Sequence, residues 1–384
     1  MSEAKTFQTG NFVAALVTIA TCDVAFGLTL QLQPLLLERL GMEAWLMGTI
    51  AAMGPFGILV AGPFLPAIIA RFGGKPVAIA ALLTILACLG LFPVLQPLYW
   101  WFPLRFLLGM AIGTLFTVSE TWMLTVSTDA NRGRVMGIYT SVLSVTFAVG
   151  PLILPYTGID GLLPWVICMG FVTAALLPMI FVGVRDVAKD EGEGSYYKVI
   201  RAAPLLFLCV CTATLFDSVM MSFFTIFAMR NGVPLETASQ ALGVSIIVGV
   251  VFFYPLGLWA DRWSKAGVIA VCATATVLAA FAIMPAVSTW AIWPLTAVMA
   301  CTGFGVYVVA LAIIGDIFKG KDVIAASAAV AGMWGIGGIV GPPLAGKIID
   351  VAGINAFGYV VAGFYLMLLA ALAASRGRFA VAHG

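Results

Sequence analysis

Two aspartates stand inside apolar runs where a charge is expensive. Asp23 lies in "TCDVAFGLTLQLQPLLL", residues 21–37, and Asp217 in "CTATLFDSVMMSFF", residues 211–224. Inserting a carboxylate at the centre of such a run costs about 3 kcal/mol on translocon scales, so each needs a use or a partner. No basic residue lies near either one within its run. Desolvation disfavours the charged form of a carboxylate that has no cationic partner, and such a group is suited to take up and release a proton. The alternative is an aspartate satisfied by neighbouring hydroxyls or backbone; Ser218, adjacent to Asp217, keeps it open there.

Other polar residues fall in reach of the same chemistry. At 100° per residue, Gln31 and Gln33 sit about 80° to either side of the Asp23 direction, so they either line the outer part of a cavity or are interfacial residues near a helix end. Arg105, one to two turns from Trp100 and Trp101, could bind an anion, influence a proton site, or snorkel to the interface. Glu120 lies about 22 Å further along the same helix, near its other end, where Arg71, Arg132 and Arg134 also fall. A charge network that latches a gate fits those four better than a proton or substrate role, and Asp316 with Asp261 and Arg262 would do the same in the second half. The seven cysteines show no metal-ligand spacing, the only histidine is the penultimate residue, His383, and no Walker sequence occurs. No metal, cofactor, nucleic-acid partner or hydrolytic energy source is expected.

The elements that must carry these residues follow from composition. Of 384 residues, 62% are hydrophobic and only 9% charged, and apolar segments of twenty or more recur along the chain. That describes an all-α integral membrane protein. Twelve helices are expected near 11–38, 44–70, 76–97, 99–126, 133–156, 163–184, 203–230, 236–260, 266–287, 290–317, 323–349 and 355–375. The polar stretch "RDVAKDEGEGSYYKVIRAAP" divides them six and six, giving domains 1–184 and 204–384 with a cytoplasmic linker at 185–203. "MSEAKTFQTGN" leads into the first span with no cleavage signal, so that span is expected to remain as an anchor.

With the N-terminus inside, all but Arg39, Arg105, Arg230 and Lys347 of the nineteen lysines and arginines fall on the cytoplasmic side. The positive-inside rule then puts both termini in the cytoplasm, and the inner membrane is the expected location. An offset of 191 residues superposes Gly41 on Gly232, Arg71 on Arg262, and Gly150-Pro151 on Gly341-Pro342. It carries Asp217 onto position 26, about one turn from Asp23, so the two carboxylates could face one cavity from opposite halves. Two parallel six-helix repeats with a midplane site are the plan of an alternating-access transporter.

"PLGLWADRWSKAG", residues 255–267, resembles the signature loop of the major facilitator superfamily. "FLPAIIARFGGKP" is a weakened first-half copy, with Ala70 and Pro66 where the family has its aspartate and glycine, and "RFLLGMAIG" resembles the fourth-helix motif. More narrowly, "VSETWMLTVSTDANRGRVMGIY" and "GFGVYVVALAIIGD" resemble the YcaD-like branch of bacterial facilitators. The resemblance implies two pseudo-twofold six-helix bundles and secondary active transport by a monomer, with protons, a small-molecule substrate and the bilayer as partners. Two unpaired acids favour neutral or cationic amphipathic substrates, exported by proton antiport. Proton-linked uptake of a small metabolite is the rival, favoured should Arg105 point into the cavity and hold a carboxylate or phosphate. A membrane enzyme or sensor is remote, because these spans offer no nucleophile-base cluster and no loop is long enough for an output domain.

Overall fold

A bilayer offers no hydrogen bonds to a peptide group, so apolar runs of this length must satisfy their backbone internally, as helices. The computed structural model describes residues 2–95, 98–126, 132–181, 196–318 and 321–375. Side chains are described there except at 2–12, 98, 124–126, 132–134, 180–181, 196–198, 321–325 and 328. In chain order the α-helices are α1 Ser2–Arg39, α2 Ala44–Ala61, α3 Leu65–Phe72, α4 Gly74–Leu91, α5 Trp101–Val126, α6 Arg132–Thr157, α7 Leu163–Phe181, α8 Tyr196–Ala202, α9 Pro204–Arg230, α10 Leu235–Arg262, α11 Lys265–Ala286, α12 Ile292–Ile317, α13 Lys321–Ala352 and α14 Ala356–Ala374. Among the described residues, eleven stretches are long and apolar enough to cross a membrane, and α7 adds a shorter apolar stretch, Leu163–Met179. No strand occurs among the described residues.

Two local features differ from the reading of the sequence. The second span is not one continuous helix: α2 and α3 are joined by a 3-10 turn at Gly62–Phe64. Pro63 removes a backbone donor there and Gly62 is a poor helix former, so the regular ladder is interrupted. The polar stretch between the halves also holds a short helix, α8, which packs against α13 and buries Val199; the rest of it, 182–195, lies outside the described residues.

The repeat reappears in the helix boundaries. Counterpart helices α1 and α9 end at Arg39 and Arg230, and α2 and α10 begin at Ala44 and Leu235. Likewise α4 and α11 begin at Gly74 and Lys265, and α5 and α12 end at Val126 and Ile317. Each pair is separated by the same 191 residues. The turns after α1 and α9 use Gly41 at φ 72° and Gly232 at φ 86°, a left-handed conformation that glycine adopts without strain.

By contact the chain forms two compact units. One holds residues 1–33 and 53–190, the other 34–52 and 191–384. The last turns of α1 and the first half of α2 therefore pack with the second unit.

Candidate functional site

In the first unit Asp23 is 4% exposed at the middle of α1. Thr146 of α6 donates to its Oδ2 at 3.3 Å. What brings the two together is one turn further along both helices. A Cβ at Gly27 would lie 2.2 Å from the Phe147 carbonyl oxygen, and one at Gly150 would lie 2.2 Å from Leu28 N. Only glycine at both places lets the backbones touch, and Asp23 and Thr146 are each four residues before one of them.

The Thr146 hydroxyl is shared. It also lies within donating distance of the carbonyl oxygens of Val142 (3.0 Å) and Leu143 (3.1 Å). A hydroxyl carries one proton and two acceptor sites, so it can serve Asp23 in either state. An ionised carboxylate accepts from Thr146; a protonated one donates to the same oxygen while Thr146 turns its proton to Val142.

Arg105 of α5 is 3% exposed, and its Nη1 donates to Oε1 of Gln33, which is 2% exposed. Arginine has no acceptor, so the amide oxygen must face it and the amide nitrogen must point elsewhere. Gln33 Nε2 and Arg105 Nε both lack an acceptor among the described residues. Gly54 on α2 leaves room beside the guanidinium; a Cβ there would be 3.4 Å from Nε. Gln31 is buried as well. No described carboxylate pairs with Arg105, and an uncompensated buried charge of this kind costs several kcal/mol.

The second unit is built differently. The residue 191 positions after Asp23 is Thr214, whose Oγ1 donates to Cys211 O at 2.9 Å and Met333 O at 3.1 Å. The counterpart of Thr146 is Gly337, where a Cβ would fall 2.2 Å from that Oγ1. The Asp-Thr pair is thus replaced by Thr-Gly. Asp217 comes one turn later on α9, half-buried, beside Phe216, which packs edge-on to Tyr365 at 5.7 Å. The Tyr365 hydroxyl is buried without a partner among the described residues.

At the ends of the helices, Lys265 bonds Asp316 and lies 3.7 Å from Asp261. Lys265 was not singled out by the sequence reading, although its i,i+4 spacing from Asp261 was a visible signal. Arg262 and Glu120 are exposed, and Arg71 lies 5.2 Å from the centre of the Phe72 ring. The side chains of Arg132 and Arg134 lie outside the described residues. The expected network around Glu120 is therefore described only in part.

At the opposite ends, contacts of the second unit involve residues that the sequence did not mark. Glu38 and Arg230 form a two-pronged ion pair at 2.5 and 2.8 Å. The Asp350 carboxylate, near the end of α13, accepts from Ala44 N and Trp45 N, each at 2.8 Å, and so caps the start of α2. A Cβ at Gly346 would meet Ala44 O at 2.2 Å, and one at Gly48 would meet Pro342 O at 2.2 Å.

The profile of the Major Facilitator Superfamily matches residues 13–311. An uncharacterized MFS-type transporter of Bacillus subtilis, YfkF, is 24% identical over 269 residues, covering 68% of each chain. One from Enterobacter is 24% identical over 354 residues, covering 88% of this chain and 89% of its own. Among solved structures, the nucleoside transporter NupG superposes with a TM-score of 0.78 at 13% identity, covering 97% of this chain and 99% of that one. A bacterial homolog of the human lysosomal transporter Spinster, inward-facing and unoccupied, gives 0.69 at 12% identity, covering 96% and 95%.

Proposed function

Because the chain belongs to the Major Facilitator Superfamily, we propose that it is a secondary active transporter driven by protons, with Asp23 as the carboxylate that carries them. It works by alternating access, with residues 1–184 and 204–384 as the moving halves, as a monomer in the inner membrane with both termini cytoplasmic. The observation that carries the reading is the pairing of a buried Asp23, with no cationic partner among the described residues, with a hydroxyl that can act as donor or acceptor. Buried ionisable groups inside spans mark ion pathways by default. Asp217 is the second acid on the route, and Gln31, about two turns along α1 from Asp23, is assigned to the outer part of the cavity. Glu120, Arg71, Arg132 and Arg134, and Asp261, Arg262 and Asp316, are assigned to closure at the cytoplasmic ends.

The substrates are neutral or cationic amphipathic solutes, exported by exchange for protons, since two mid-span acids, the buried Asp23 and the half-buried Asp217, stand against the one buried cation described, Arg105. A second reading has its own support. Among the described residues the guanidinium of Arg105 has no carboxylate partner, and it and Gln33 present unused N–H donors, which suits a carboxylate or phosphate taken up together with a proton.

Reconstitution in liposomes with an internal pH dye tests both readings. Cationic amphipaths should evoke proton movement that Asp23→Asn abolishes, a loss of at least about a hundredfold in coupled flux, as expected of a removed proton carrier. Undiminished gradient-driven flux in the variant refutes the role of Asp23. Proton movement evoked only by small anions, and lost in Arg105→Gln, selects the second reading.

A further inference from the structure

We propose that Asp350, together with the Glu38–Arg230 pair, is the latch that holds the outer gate shut, and that the cap it places on α2 is remade and broken once per transport cycle. The orientation comes from the reading above; the latch itself depends on neither proton nor substrate.

Residues 34–52 are joined in sequence to the first half yet belong by contact to the second unit. Beside buried apolar side chains such as Leu37 and Met47, directional contacts hold them there. The first amides of a helix have no partner within it and carry the positive end of its dipole, so a carboxylate that accepts two of them is well placed both in geometry and in charge. Asp350 does this for α2 from a different helix, at 2.8 Å to Ala44 N and Trp45 N. A cap is ordinarily supplied by the residue just before the helix, which stays attached whatever the helix does. One supplied from α13 is lost as soon as α2 moves away.

The backbones beneath the cap touch without side chains between them. Gly346 lies against Ala44, and Gly48 against Pro342, each with no room for a Cβ. Such an interface has two arrangements, closed or parted, with little in between. The two-pronged Glu38–Arg230 pair fixes the end of α1 to the end of α9 on the same side. If the orientation is as proposed, this is the outer side, and opening to the outside requires residues 34–52 to leave all of these partners together.

The test is a distance measurement in lipid nanodiscs without substrate or gradient. Spin labels at Leu40→Cys and Trp290→Cys, both exposed, are placed in a chain freed of its seven native cysteines. The parent should give mainly a short distance. Asp350→Ala should raise the ratio of long to short distances about tenfold, the equivalent of losing a helix cap, and Asp350→Asn, which keeps one acceptor, by less. Glu38→Arg should have the same effect as Asp350→Ala, and adding Arg230→Glu should restore the short distance. If Asp350→Ala fails to fold, judged by gel filtration, Asp350→Asn and the charge exchange carry the test. Unchanged distance distributions in the folded variants overturn the latch and leave the role of Asp23 untouched, whereas failure of Asp23→Asn to alter flux leaves the latch intact.

Discussion

At the scale of single residues, the proton site depends on one hydroxyl. Thr146 is the only described side chain bonded to Asp23, and its value lies in switching between donor and acceptor. Thr146→Val keeps the shape and removes the switch. A hydrogen bond to a charged group contributes about 1.5–3 kcal/mol, so coupled flux should fall tenfold or more, while Thr146→Ser should retain most of it. Proteoliposome flux checks this; equal rates for the Val and Ser variants would mean that the hydroxyl takes no part. Asp23 was legible in the sequence because its type is wrong for its surroundings. Thr146 was not, since a threonine in an apolar helix is ordinary, and its importance comes from a neighbour 123 residues away. Asp350 was silent for the same reason: a carboxylate near a helix end looks like an interfacial residue until the fold sets another helix start against it. Asp217 stands where the 191-residue offset puts it, one turn from the counterpart of Asp23, and what the offset did not display is that the counterpart itself, Thr214, bonds the Met333 carbonyl.

At the scale of elements, hydropathy was enough to place every long helix, and the offset of 191 extends from residues to helix ends. What it could not show was how closely those helices approach, because a glycine in a membrane helix can be a contact, a bend or nothing. Gly150 is a contact, with Leu28 N 2.2 Å from where its Cβ would be, while Gly170 has open space. Gly150→Val must push α1 from α6, and overpacking of this kind costs about 1–3 kcal/mol. The expected result is a lower melting temperature in detergent and loss of coupled flux, since the Asp23–Thr146 distance grows with the helix separation. Gly170→Ala should do neither. A Gly150→Val protein that melts and transports like the parent would show that the close approach does not position the site. The break at Gly62–Phe64 belongs to the same scale: the sequence displayed the Gly-Pro pair, but a proline inside an apolar run interrupts some helices and not others, and α10 runs on through Pro255.

At the scale of the whole molecule, covalent connection and packing divide the chain at different places. The sequence repeat splits it at the 185–203 stretch, yet residues 34–52 are held by the second unit through the Asp350 cap, the Glu38–Arg230 pair and the glycine contacts of Gly48 and Gly346. The second unit therefore lacks part of its own packing when the first half is absent. Produced as two pieces, 1–190 and 191–384, the chain should reassemble, because the cut leaves α8 on α13 within the second piece and removes only the effective concentration that the covalent link supplies. A tag on one piece should recover the other in mild detergent, and 191–384 made alone should be degraded faster than when its partner is present. Combining Asp350→Ala with Glu38→Gln removes a cap and an ion pair, together about 1.5–3 kcal/mol, which corresponds to a loss of tenfold or more in recovered complex at limiting concentration. Pieces that are each stable alone and do not associate would mean that residues 34–52 contribute no binding energy to the second unit, and that the unit is complete without them.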